Sequence, residues 1–401
     1  MKLFKQKLFW VMSSIILMLG YVISCTKSDQ VLDVPKPINN STDLVSVKVS
    51  SPPSIDGTTD ALWANSPVLE FSTTVPEVTG DVFRGYNGNI IPSVKIRSAY
   101  DNANIYFLVE WSDPTASLKR SPWYFDPGTK RWAQEKGTFE FAANGSILRL
   151  PFYEDKIAFL WNINNSVNGW TNGTCYKSCH TGLPGTDGSS RHYTNFPTEK
   201  IDMWHWKSIR GGVNGSFQVH DQYQDNTYPN GRKGDPGGDI YQNNSQNLLI
   251  TGTSTSVAVP KYVIPDRNNY GWIMNSEVAS GVAKKVTAVD LNGVLTLGDA
   301  TPLDPNSGTE YQRVGSGVGP KAIPGLTLND AYTGSAGDIS CKAVHTGSGW
   351  VMEIKRALKT SDAVYDIDFT SLADQYFGFA VFENAQIAHS IKANLILKFE
   401  K

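Results

Sequence analysis

Four cysteines in 401 residues are too few for a disulfide-built scaffold, because secreted frameworks of that kind carry several bridges in a short chain. Nor do the four pair up. Cys25 closes an apolar run, Cys175 and Cys179 stand together ahead of His180, and Cys341 is alone in an apparent strand over 338–344, where it reads as a small buried hydrophobe. Charge is scarce too: 18% of residues are charged and the formal net charge is −2. That excludes nucleic acid as a partner, since its binders need a basic face against phosphate. Beyond residue 23 no apolar run approaches the roughly 20 residues of a membrane-spanning helix. Helical periodicity is missing apart from a candidate helix over 198–210, and there is no internal repeat. Glu154 and Asp155 have no nucleophile or second carboxylate motif beside them. They read as a turn or a hydrogen-bonding pair rather than as an acid and a base.

What is present begins with a targeting pattern. Lys2, Lys5 and Lys7 precede an apolar stretch over 8–23 that ends in Ser24 and Cys25. A small residue before a cysteine is similar to the lipobox of bacterial lipoproteins, so residues 1–24 are expected to be a signal peptide and Cys25 to carry lipid. Acyl chains hold a protein to a membrane without spanning it, each buried methylene contributing about 0.8 kcal/mol. The expected location is the cell envelope, lipid-anchored on the periplasmic face or at the outer membrane. Residues 25–44 are polar and aperiodic, as a flexible tether would be.

From 45 to 401 the pattern is that of sheet. The chain has 35 Gly, 21 Pro, 11 Trp, 17 Tyr and 17 Phe, a composition that suits short strands and turn-rich loops. Strand-like alternation or apolar runs occur at 45–49, 94–97, 104–111, 156–163, 256–264, 286–297, 350–355, 376–382 and 393–399. Many strands and few short helices predict an all-β fold, an antiparallel β-sandwich of immunoglobulin-like layout with long loop insertions. A Gly- and Asn-rich stretch over about 211–347 reads as an insertion with two or three strands of its own.

The stretch that carries chemistry is Cys175-Tyr176-Lys177-Ser178-Cys179-His180. Two thiols can add across the two vinyl groups of one porphyrin edge, and a histidine directly behind the second can reach the iron. The common spacing has two residues between the cysteines; this chain has three. Such a loop predicts one covalent haem c on Cys175 and Cys179 with His180 as an iron ligand. A small-loop disulfide and a zinc site completed by His192 and His205 are the competing readings. An electron carrier also needs a second axial ligand, and the other histidines, with Met203, Met274 and Met352, are the candidates.

Several segments in order resemble the haem-binding domain shared by the γ subunit of ethylbenzene dehydrogenase and related subunits of dimethyl-sulfoxide-reductase-type molybdenum enzymes. They are IDGTTDALW at 55–63, YEDKIAF at 153–159, DMWHWK at 202–207, WVMEIKR at 350–356 and FAVF at 379–382. The first also occurs in family 9 carbohydrate-binding modules, which share the sandwich architecture. The resemblance implies haem held between a Met and a Lys, and this chain looks like a c-type branch in which a Cys-Cys-His loop replaces the Met. His180 then takes the place of that Met. His389, just before the last strand, matches the family lysine, with His205 and Met203 as alternatives and Lys392 as the conservative transfer. Trp204, beside His205, is expected to wall the haem edge or cap the sandwich. The implied role is a non-enzymatic electron carrier whose redox partner is a molybdenum oxidoreductase or another cytochrome. Alternatives are a carbohydrate-binding lipoprotein without haem, which needs exposed tryptophans, and a haem sensor or enzyme subunit with an open iron position.

Overall fold

The computed structural model describes residues 42–78, 82–179, 192–315 and 317–401, all within one compact unit over 40–401. The expected signal peptide, Cys25, nearly all of the tether and His180 lie outside the described residues. Among the described residues no helix is long and apolar enough to cross a membrane.

Twelve strands build the principal sheet: β1 (Asp43–Lys48), β2 (Leu69–Thr74), β3 (Ile90–Tyr100), β4 (Asn104–Ser112), β5 (Lys156–Asn162), β6 (Ile201–Lys207), β7 (Gln218–Gln224), β8 (Ile339–His345), β9 (Gly349–Ala357), β10 (Gln375–Phe382) and β11 (Ser390–Phe399), with a short strand at Arg232–Gly234 paired to β7. One layer runs β2-β3-β4-β9-β8 and the other β7-β6-β5-β10-β11, with neighbours antiparallel. β1 lies parallel to both β11 and β3. The layers touch along two thin seams. β2 meets β11 only at Thr74 and Ile391, and β7 meets β8 only at Gln218–Ser340 and Val219–Ile339. The fold is therefore the expected all-β sandwich, with both edges stitched into a flattened ring. Stitching leaves few unpaired edges of the kind that promote aggregation.

Period-two patterning decides which side chains enter the core. Phe107, Val109 and Trp111 of β4 meet Phe159 and Trp161 of β5, Trp204 and Trp206 of β6, and Phe377 and Phe379 of β10. Trp161 stacks on Phe377 at 4.8 Å and lies edge-on to Phe369 at 5.3 Å, contacts worth about 0.5–1.5 kcal/mol each beyond the area they bury. Cys341 is in the same core, 1% exposed.

The candidate helix over 198–210 is corrected: the chain there is strand β6, followed by a single π-turn at Ser208–Gly212. Every residue of β6 is buried, because one face packs inside the sandwich and the other lies under loops. Alternation between apolar and polar residues is lost where both faces are covered. The Gly- and Asn-rich stretch also differs in its limits, since β7 and β8 at its two ends belong to the principal sheet. Between them lie small sheets built from pieces such as Ser256–Val259, Lys284–Val289 and Leu326–Leu328. Several of their residues pack with Trp123, Phe125 and Trp132 into a second hydrophobic cluster.

Candidate functional site

The outward face of the β6-β5-β10 layer is unusually bare. Ala158 pairs with Ala380, and Leu160 with Gly378, so small side chains leave room above the sheet. Across this face runs the chain from β5 to β6, pinned at several points. The Trp170 indole N–H donates to the Tyr376 carbonyl at 2.8 Å, and the Asn394 N–H donates to Thr174 Oγ1 at 3.1 Å. Glu199 accepts from the N–H groups of Asn168, Asn195 and Phe196. Thr174 is fully buried at φ 36°, a left-handed backbone rarely adopted by a β-branched residue. It opens a 3₁₀ turn, Thr174–Lys177, that presents Cys175.

Cys175 lies directly on β10. A Cβ added to Gly378 would sit 3.0 Å from Cys175 Cβ and 3.2 Å from its Sγ, so a larger residue there would press the Cys175 turn outward. Burial, and then the neighbouring Cys179, push the Cys175 thiol up to about 12. Cys179 pairs with His192 in an isolated β-bridge.

Between this turn and the sheet lies a narrow apolar cleft with a cavity volume of about 30 Å³. Cys175, Cys179, His192, Met203 and His389 all line it, among Ala158, Leu160, Phe382 and Ile391. His389 is shaped for coordination. Its Nδ1–H donates to the Ile387 carbonyl at 2.7 Å, which leaves Nε2 unprotonated in the neutral ring. Burial first, with Lys156 and Arg232 adding to it, lowers its pKa to about 4, so the ring is neutral at pH 7. It stacks on Phe382 at 4.5 Å and faces His192 at 6.0 Å. Met203 is in the cleft floor, its sulfur 3.6 Å from the Gln224 amide nitrogen.

Three expected residues fall elsewhere. His205 lies behind Phe382, 5.5 Å ring to ring, with Nδ1 2.9 Å from Gln222 Oε1. Trp204 is corrected from a cleft wall to a core residue: it points to the inner face of β6, 5.2 Å from Trp161. Lys392 pairs with Phe379 on the ladder and is not among the cleft-lining residues. His192, singled out from sequence only as a zinc candidate, and Val78 and Phe83 from the β2–β3 connection join the cleft through long-range packing that no local pattern announces.

Next to the cleft, sharing His192 and Phe382 with it, is a second cavity of about 630 Å³ lined by Lys156, His205, Lys207, Arg210 and His220 among others. Burial drives Lys156 and Lys207 well below the ordinary lysine range, and nearby arginines add to it. Glu154 answers Arg210: its Oε1 accepts from Arg210 Nε at 2.6 Å, and its other oxygen takes the N–H groups of Ile209 and Arg210. The pair Glu154 and Asp155 thus serves hydrogen bonding, Asp155 accepting from the N–H groups of Ser117 and Asn384.

Two cysteines and two histidines thus stand over an apolar slot on one sheet face of an all-β protein. The ethylbenzene dehydrogenase family model matches residues 60–393, and the chain belongs to that family. No curated protein matches it. Similar solved structures include a family 9 carbohydrate-binding module from Caldicellulosiruptor kristjanssonii with glucose, at 10% identity and TM-score 0.29 over 89% of this chain and 95% of that one. The same organism's module with cellotriose matches at 10% identity and TM-score 0.27, over 89% and 93%. Likeness at that level assigns no ligand.

Proposed function

We propose that this protein is an envelope electron carrier that holds one haem c in the apolar cleft, attached through Cys175 and Cys179. His180 and His389 would hold the iron. The observation that carries this reading is the convergence of Cys175, Cys179 and His389, from distant parts of the sequence, on one apolar slot. Family membership supports it. The donor chemistry fits the group: two thiols and a neutral imidazole line one apolar cleft. When bound, haem iron would supply reversible one-electron exchange.

The chain's own residues do the rest. Gly378 and Thr174 set the depth of the Cys175 turn, the Ile387 carbonyl fixes the His389 tautomer, and Phe382 limits its tilt. His389 is preferred to Met203 because Met203 is packed into the floor beside Gln224. His205 is screened by Phe382. The family points to service within a dehydrogenase complex, and we assign the redox partner as a molybdenum oxidoreductase or another cytochrome, with Cys25 as the lipid anchor. The carbohydrate alternative needs exposed tryptophan, and no described tryptophan is exposed.

Two results are expected. His389→Ala converts a six-coordinate low-spin spectrum to one with an open position, and the reduced protein then binds carbon monoxide readily; an unchanged spectrum removes His389 from the iron. Gly378→Val presses on Cys175 and lowers the yield of covalently attached haem several-fold without loss of the folded sheet, read as the haem-to-protein absorbance ratio alongside circular dichroism. An undiminished ratio means the close approach does not position the thiol.

A further inference from the structure

Two lysines are buried on the outer face of the sandwich without a counter-ion. Lys156 is 2% and Lys207 3% exposed, and among the described residues neither has a carboxylate within ion-pair distance. Lys156 Nζ donates to the Gln386 carbonyl at 3.0 Å and lies over the rings of Phe382 at 4.2 Å and Tyr153 at 4.8 Å. Lys207 Nζ has the neutral nitrogen His220 Nδ1 at 2.6 Å. Both face the cavity of about 630 Å³ beside the cleft. His205 faces it too, and its Nε2 is buried with no hydrogen-bond partner.

Burial disfavours the charged form of both lysines unless something negative accompanies them. The acids nearby do not serve. Glu154 is spent on Arg210, and Asp225 on Lys233 at 2.6 Å. Asp235 also lines the cavity, but burial and then Asp202 push its carboxyl up to about 10, so it is neutral at pH 7. Asp239 and the cations Arg120, Arg232 and Lys233 complete the charged lining. The wall thus brings basic side chains and donor nitrogens around a space large enough for a polyatomic ion.

We propose that this cavity is an anion site in which Lys156, Lys207 and His205 bind paired carboxylates or a multiply charged oxyanion. That chemistry has two sources. The propionates of the haem could reach across the shared wall of His192 and Phe382, an arm that rests on the haem reading above; a free oxyanion such as phosphate does not depend on it. Either would give each lysine the partner it lacks, and His205 Nε2 becomes a donor once an anion draws a proton to the ring.

The test uses the intact purified protein together with Lys207→Met and Lys156→Met. Each exchange removes a buried amine that lacks a negative partner and keeps an unbranched side chain, and having both variants guards against one that fails to fold. Inorganic phosphate is titrated by calorimetry, and the haem midpoint potential is measured in each form. Saturable phosphate binding that either exchange weakens at least tenfold, with the potential unmoved, assigns a free oxyanion. No phosphate binding, with a potential that falls in the variants because positive charge near the iron has been removed, assigns the propionates. Absence of phosphate binding with an unchanged potential in both variants overturns the proposal. If the protein holds no haem, the haem reading fails by itself and phosphate binding alone decides the cavity.

Discussion

Protein in which both Cys175 and Cys179 are exchanged for alanine should yield all of its haem to acid acetone, whereas the unaltered protein yields none. The thioether bonds are the only covalent link the account provides, so their removal takes covalent haem from one per chain to zero. Each single exchange keeps one bond and should retain attached haem at reduced yield. The fold should persist, because the turn is held by Trp170, Thr174 and Glu199 through hydrogen bonds that involve neither sulfur. A disulfide between the two cysteines makes the opposite forecast: no haem in any form, and a loss of stability that for native bridges is typically about 2–4 kcal/mol. Haem content after extraction and the urea midpoint, measured on the same samples, separate the two.

The largest stability effect is expected at Arg356. Its guanidinium is fully buried among three carboxylates, 3.4 Å from Asp202, 3.8 Å from Asp221 and 3.4 Å from Asp366. The three acids come close enough to share a cation, and the cation standing among them is an arginine. Removing one partner of a buried ion pair costs about 3–5 kcal/mol, because the charge left behind is neither solvated nor neutralised. Arg356→Met should destabilise the protein by at least that range, and the deficit should depend on pH. Asp202 is already pushed up to about 7, by burial first and by Asp366, with Arg356 opposing. A carboxyl whose folded pKa is raised favours the fold while it is protonated and loses that contribution as pH rises through the raised value. Without Arg356 the loss measured by urea unfolding should therefore be larger at pH 8 than at pH 5. A change below about 1 kcal/mol at both values, in the range of an exposed pair, would mean that the cluster is neutral in the folded protein.

Much of the sheet was legible because one face of most strands meets the core and the other meets solvent or loops. β3, with Val94 and Ile96 buried beside half-buried Lys95 and Arg97, shows the alternation that period-two reading needs. β6 does not. Its outward Met203, His205 and Lys207 are as buried as its inward Trp204 and Trp206, so the strand resembled a helix and Trp204 was credited with a face it does not present. The Cys175 and Cys179 turn could be found from sequence because its spacing is local. His389 could be placed only through resemblance to the family, and its position on the same cleft depends on pairing between the last two strands. The unaccompanied lysines were not legible at all. Lys156 and Lys207 pair directly across β5 and β6, yet in the sequence each is an ordinary charged residue at the end of a strand.

The central claim is tested most directly by the intact mass of the purified protein together with its pyridine haemochrome spectrum. The account predicts a mass greater than that of the processed polypeptide by one haem, and a haemochrome band at the position given by thioether-linked haem. A mass equal to the bare processed chain, with no haemochrome or with one whose haem extracts into acid acetone, would contradict it.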